Sequence, residues 1–152
     1  AAAFLLLANK VFDLNYSKDR LARMALKVGA DVPFFIYEYD SANVTGIGEK
    51  VESFDEKPFE IETITPDIKC NTAQVFNTFR EKFYKEISDV DAQKLLSQKS
   101  IDILNELDIN EANDLYECAV DTNPTLKQYA KKDWFFSGSG SSFFKIKTQG
   151  NK

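Results

Sequence analysis

The sequence predicts an α+β protein, and three observations carry that prediction. Apolar residues recur at helical spacing at the start of the chain and through its middle. Short apolar or alternating runs bounded by Gly, Pro, Ser and Asp occur at 32–39, 42–54, 59–64 and 134–146. The order is helix, helix, strands, helices, strand, loop, strand, which is not the strict alternation of a doubly wound sheet. Of the 152 residues, 43% are apolar and 13 are Phe, enough for one ordinary core or for one domain and part of a second.

Phe4, Leu5, Leu7, Ala8, Val11 and Phe12 give residues 1–14 a helical stripe. No cap residue stands before Ala1, and a strong helix from the first residue is expected of a chain cut from a longer one. Ser17 is placed to cap a second helix, Lys18 to Val28, and Gly29 to end it. Val32–Tyr39 reads as a strand, with Pro33 near its start as on a sheet edge. Ala42–Val44 and Val51–Phe54 flank the Gly46-Ile47-Gly48 turn as a short strand pair. Phe59–Ile64 sets Phe59, Ile61 and Ile64 against Glu60, Glu62 and Thr63, the pattern of a half-buried strand. Pro66-Asp67 turns the chain.

From Thr72 the pattern is helical, with Val75, Phe76, Phe79, Phe83 and Tyr84 on one side. Residues 85–97 read as a loop and a short helix. Ile101–Leu107 and Ala112–Val120 read as further helices, the second containing Asn113-Asp114. Asn123-Pro124 opens another, with Pro in the first turn. Trp134–Phe136 and Phe143–Ile146 read as strands joined by the Ser137–Ser142 loop. A composition shift near residue 56 divides the chain into 1–55 and 56–152.

Charge and composition exclude several functions. The net charge of −5 disfavours a nucleic-acid partner, which needs clustered Lys and Arg. Lys127, Lys131 and Lys132 lie near Asp133 and read as a solvated helix end. The chain has no histidine, so Ser-His-Asp, Cys-His and His-metal chemistry are removed together, leaving carboxylates as bases. Cys70 and Cys118 make neither a disulfide framework nor a metal cluster, and no metal site is expected. No apolar run approaches a membrane span, and Ala1–Leu7 lacks the flanks of a signal peptide.

Three places can carry chemistry. Asp31, between Gly29-Ala30 and Val32-Pro33, is in one reading a turn residue bonding its own backbone. In the other it is a partly desolvated carboxylate that takes the proton of an attacking hydroxyl. The Ser137–Ser142 loop is either a hairpin turn or a nest of backbone N–H groups for an anion. It is not a Walker loop, because no Gly-Lys-Ser/Thr follows. Thr72 and Phe76 lie four apart on one helix face, Phe76 being either core or an aromatic platform for a base. Asn113-Asp114 reads as a hydrogen-bonding pair on a helix face.

Taken in order, Gly29-Ala30-Asp31-Val32-Pro33-Phe34-Phe35, Gly46-Ile47-Gly48-Glu49, Pro66 with Thr72 and Phe76, Asn113-Asp114-Leu115 and Ser137-Gly138-Ser139-Gly140-Ser141 resemble the later two-thirds of a GHMP small-molecule kinase. That superfamily includes galactokinase and the homoserine and mevalonate kinases. The resemblance implies a GHMP C-terminal α/β sandwich, ferredoxin-like, over 56–152 and a remnant of the N-terminal domain over 1–55. It implies a cytoplasmic enzyme of non-mevalonate isoprenoid biosynthesis. Such an enzyme passes the γ-phosphoryl of ATP, accompanied by Mg²⁺, to the 2-hydroxyl of a cytidine-diphosphate-linked methylerythritol. By the same resemblance Asp31 is the general base, Thr72 and Phe76 lie near the cytidine, and Gly138, Ser139 and Gly140 face the reacting groups.

The chain also departs from that family. The glycine-rich phosphate loop is absent from these residues, as is the segment with the lysine that partners the base. Ala73 stands where a proline is common. The resemblance therefore implies the base and the acceptor side without the ATP cradle. A chain inactive by itself is expected, with apolar faces that favour self-association. Two other readings stay open: a GHMP kinase for a different alcohol, and a non-catalytic α/β binding module in which Asp31 is a turn.

Overall fold

Ser17 caps a helix as its position predicts. Its hydroxyl accepts the Arg20 N–H at 3.3 Å, and α2 (Lys18–Leu26) follows with Leu21, Ala22 and Ala25 turned inward. In this computed structural model, which describes residues 1–147, the chain divides into two units, Ala1–Pro58 and Phe59–Lys152.

In the first unit α1 (Ala2–Val11) precedes α2, and Asn9 fixes the connection between them. Its Oδ1 accepts the Tyr16 N–H at 3.0 Å while its Nδ2 donates to the Tyr16 carbonyl at 3.1 Å. The core is small and built of Ala2, Leu21, Ala22, Ala25 and Ile36, with Leu5, Leu6 and Val32 against it. The opposite side of α1 carries Phe4, Leu7 and Val11, each more than half exposed, at positions that share one helix face.

Val32–Tyr39, expected as a strand, is instead helical: α3 spans Val32–Tyr37. An unbroken apolar run of this length carries no alternation to identify a strand, so periodicity alone cannot assign it. Pro33 falls in the first helical turn, where its missing N–H leaves no bond unmade and its fixed φ suits the helix. Burial of Pro33 and Ile36 then pays for the helix, and Glu38 stops it with φ 58°. Tyr37 ties α3 to α2 by donating to Asp19 at 2.9 Å, and burial together with that carboxylate raises its phenol above its ordinary value. β1 (Ala42–Thr45) and β2 (Lys50–Ser53) form the expected hairpin, with Val44 opposite Val51.

The second unit has a three-stranded antiparallel sheet in the order β3 (Ile61–Ile64), β5 (Phe143–Ile146), β4 (Phe135–Phe136). Its helices are α4 (Thr72–Thr78), α5 (Asp89–Ser97), α6 (Ser100–Glu106), α7 (Ile109–Ala112) and α8 (Leu115–Thr122). A π-turn over Phe79–Phe83 continues α4, and a 3₁₀ helix over Pro124–Tyr129 follows α8. The architecture is α+β, as expected.

Phe143 and Phe136 point from the sheet into a core of Val75, Tyr116, Cys118, Ala119 and Leu126. Phe143 is fully buried, with its ring centroid 5.1 Å from Phe136, 6.1 Å from Tyr129 and 6.3 Å from Tyr116. Tilted and edge-on rings at such distances gain attraction beyond the area they bury.

Two expectations fail here. β3 is exposed along its whole length rather than half-buried, with Ile61 and Ile64 both open to solvent. Its position at the sheet edge does not by itself account for this, since β4 at the other edge is buried. The helix expected over Ala112–Val120 is broken, because Asn113 is extended (φ −149°, ψ 102°) and separates α7 from α8. Among the described residues no helix is long and apolar enough to cross a membrane.

Phe143→Ala should cost about 3–5 kcal/mol, the usual range for emptying a filled aromatic site. A urea titration of the second unit's near-UV signal measures this, and a cost under 1 kcal/mol would mean the rings are not packed as described.

Candidate functional site

Asp31 is placed by three short signals. Gly29 follows α2, Val32 N–H donates back to the Gly29 carbonyl at 3.2 Å, and α3 begins directly after Asp31. Asp31 itself has φ −82° and ψ −14° and makes no side-chain capping bond. Among the described residues its carboxylate has no hydrogen-bond or ionic partner, and it is exposed rather than desolvated. It therefore stands at the start of a helix, where the first-turn N–H groups favour a negative charge, and not at the start of a strand.

The Gly46-Ile47-Gly48-Glu49 turn is brought against this segment. Gly48 has φ +101°, and a Cβ there would overlap the Ala30 carbonyl. A glycine is required on both counts, and the contact seats the β1–β2 turn on the residue next to Asp31. Glu49 closes the turn by accepting the Ile47 N–H at 2.6 Å. Its own N–H and that of Ile47 hold its carboxyl below the ordinary 4.5.

In the second unit the Ser137–Ser142 loop joins β4 to β5. Ser137 N–H donates to the Ser142 carbonyl at 2.9 Å, and Gly140 N–H to the Ser137 carbonyl at 3.1 Å. Gly138 and Gly140 both have positive φ, +55° and +102°. Gly140 has no room for a side chain, since a Cβ would come within 2.6 Å of the Phe136 ring and 2.7 Å of the Cys70 sulfur. Gly138 is the reverse: nothing lies within 4 Å of where its Cβ would be. Among the described residues the N–H groups of Gly138 and Ser139 donate to none, which leaves two backbone donors at the open side of the loop.

Side chains hold the loop from several directions. Thr72 Oγ1 and Ser139 Oγ share a hydrogen bond of 2.9 Å, and Thr65 Oγ1 and Ser142 Oγ one of 2.8 Å. Ser141 Oγ donates to the Pro66 carbonyl at 2.8 Å. Asn113 Nδ2 donates to the carbonyls of both Phe136 and Gly138 at 3.0 Å. Thr72 begins α4, capped by Asn71, whose Oδ1 accepts the Gln74 N–H at 3.1 Å. Phe76 follows one turn later and is 39% exposed, while its neighbour Val75 fills the core.

Thr72, Ser139 and the two glycines thus form one cluster, with Phe76 one helical turn from it. Asp31 lies in the first unit. Sequence reasoning placed Asn113 on a helix face and missed its grip on the loop. The available signal was its type, since Asn can bond backbone groups outside regular structure. Burial raises the Cys70 thiol above its ordinary value, which favours the neutral form of the sulfur beneath Gly140. Among the described residues no three His, Cys, Asp or Glu side chains gather as a metal site.

Gly48→Ala is expected to cost more than about 1 kcal/mol in urea unfolding, because it forces positive φ on a side chain and displaces Ala30. Glu49 adds a pH signature. Its lowered carboxyl contributes stability that is present above the ordinary carboxylate range and is lost as pH falls through the lowered value. The Ile47 amide resonance should therefore titrate with a midpoint below 4.5, and Glu49→Gln should abolish that titration.

No protein-family model matches the chain. Curated relatives do. The chain is 46% identical over 151 residues to a 4-diphosphocytidyl-2-C-methyl-D-erythritol kinase of Sulfurimonas denitrificans, covering 99% of this chain and 57% of that protein. A protein of the same name from Helicobacter acinonychis is 40% identical over 155 residues, covering 97% of this chain and 56% of the relative. A crystal structure of 4-(cytidine 5′-diphospho)-2C-methyl-D-erythritol kinase superposes with a TM-score of 0.66 at 25% identity, over 96% of this chain and 53% of that one. The chain thus spans slightly more than half the length of these relatives, and it is similar to these 4-diphosphocytidyl-2-C-methyl-D-erythritol kinases along nearly all of its own length.

Proposed function

We propose that this chain is the acceptor-side portion of a kinase that phosphorylates the 2-hydroxyl of 4-diphosphocytidyl-2-C-methyl-D-erythritol with ATP, a cytoplasmic step of non-mevalonate isoprenoid biosynthesis. The observation that carries this reading is the 46% identity over 99% of the chain to a kinase of that name. In this reading residues 1–55 belong to the N-terminal GHMP domain and residues 56–152 to the C-terminal one.

Asp31 is the general base. Its carboxylate accepts the proton of the 2-hydroxyl as that oxygen forms a bond to the γ-phosphorus, and the bond from that phosphorus to the β–γ bridging oxygen breaks to release ADP. The acceptor is a crowded tertiary alcohol, so a positioned base has a substantial part of the barrier to lower. A carboxylate without a competing partner in its own unit is free for that role. The open N–H groups of Gly138 and Ser139 are donors for the oxygens of the substrate, and they need no reorganisation in the transition state. Thr72 and Phe76 serve the cytidine, Phe76 with an exposed ring face that a pyrimidine can cover.

Mg²⁺ would accompany the ATP phosphates. Among the described residues no three His, Cys, Asp or Glu side chains gather to hold it, and the ion would be held chiefly by the phosphates. The 152 residues contain no Gly-rich phosphate loop of the family type, and we propose that the chain alone does not turn over ATP. The Phe4, Leu7 and Val11 face of α1 is the surface through which the isolated chain would self-associate.

The test grafts this chain in place of the matching residues of the S. denitrificans relative and follows ATP-dependent phosphorylation of the cytidylylated methylerythritol. Turnover is expected, with Asp31→Asn losing on the order of a hundredfold or more in kcat at little cost in KM. A graft that folds but does not turn over points to a different alcohol or to a non-catalytic module. Unchanged turnover in Asp31→Asn returns that residue to the role of a turn.

A further inference from the structure

One half-buried side chain in the second unit carries three hydrogen bonds to two different elements. Asn113 breaks the helical run between α7 and α8, and its amide serves two elements at once. Oδ1 accepts the Leu115 N–H at 2.9 Å, satisfying a donor at the start of α8. Nδ2 gives its two hydrogens to Phe136 at the end of β4 and to Gly138 at the open side of the loop, both at 3.0 Å. Both donors and one acceptor position of the amide are in use.

This arrangement sets the orientation of the loop's peptide planes. The Gly138 carbonyl belongs to the peptide unit whose N–H is that of Ser139, one of the two unused donors. Planarity makes that N–H point opposite to the carbonyl. With Asn113 holding the carbonyl, the Ser139 N–H is turned to the other side. Nothing else described fixes this plane: the Ser139 side chain is bound to Thr72, and the neighbouring ties act at Ser137, Gly140, Ser141 and Ser142.

We propose that Asn113 is a positioning residue for phosphoryl transfer, acting through the Gly138–Ser139 peptide and not by touching substrate. The proposal rests on the kinase reading above. It assigns to Asn113 the aim of the Ser139 N–H donor. No other residue type of this size can do the same. Aspartate keeps the acceptor for Leu115 but replaces the NH2 group, and with it both donor hydrogens, by one oxygen facing two carbonyls, and leucine supplies neither donor nor acceptor.

The test compares Asn113→Asp with the unsubstituted protein by two readouts. In the 152-residue chain, ¹⁵N relaxation reports backbone order at Gly138 and Ser139, with thermal melting as the control for folding. Order at these two amides should fall in the variant while α8 amides keep theirs. In the grafted enzyme, kcat per folded molecule should fall on the order of tenfold to a hundredfold with KM for the cytidylylated alcohol within about threefold.

Unchanged relaxation at Gly138 and Ser139 overturns the clamp. Loosened amides with kcat per folded molecule within twofold of the unsubstituted graft overturn the positioning role. An unsubstituted graft that is inactive overturns the kinase reading, and with it the catalytic part of the proposal, while the relaxation data still decide the clamp. If Asn113→Asp does not fold, Asn113→Ala takes its place under the same criteria, since it removes both donors without adding a charge.

Discussion

The second unit depends on the burial of Phe143. This residue has no exposed surface, pairs with Phe136 across the β4–β5 ladder and closes on Tyr116 and Tyr129 from the helical side. It is also the first residue after the Ser137–Ser142 loop. With Phe136 and Phe143 both anchored in the core, the six intervening residues span a fixed gap. A loop closed on a rigid base loses little further entropy when side chains order it. The polar ties from Thr65, Thr72, Asn113 and Ser141 are therefore effective because the hydrophobic anchor has already fixed the loop ends.

The first unit follows a different rule, in which the backbone supplies the contact. Ala30 and Gly48 meet without side chains between them, which only glycine at positive φ permits. The position of Asp31 thus depends on a hairpin turn far along the chain as well as on the helix that follows it. The core beneath is made of three alanines, one leucine and one isoleucine, so little area is available to absorb a misfit.

The α+β class, the Ser17 cap, the β1–β2 hairpin and the β4-loop-β5 unit were legible because each is written in local chemistry: a capping hydroxyl, paired glycines, or Phe runs around a serine-glycine stretch. Val32–Tyr37 was not, since six consecutive apolar residues satisfy a strand and a helix equally, and packing on α2 decided between them. β3 was given the right type and the wrong burial, because alternation says which residues share a face and not whether that face is covered. At the site, the cluster of Thr72 with Ser139 joins positions 67 residues apart, and no spacing rule reaches that far. Asn113 was misplaced for a related reason: its partners are backbone carbonyls of a distant strand and loop, which leave no mark on the neighbouring sequence.

Trp134 is the chain's only tryptophan, and it lies against the aromatic core of the second unit with Lys145 Nζ 5.2 Å from its ring centroid. Lys145 is in turn held by Glu62 at 3.0 Å, so the cation over the ring is tethered to β3. The indole is thus an intrinsic optical label for one half of the molecule. Its emission reports the packing of β3, β4 and β5, whereas the three helices and hairpin of the first unit contribute only tyrosines. Tryptophan fluorescence, excited at the long-wavelength edge of its near-ultraviolet band, and far-ultraviolet dichroism would follow different events during unfolding, and a gap between the two curves would measure how independently the halves melt.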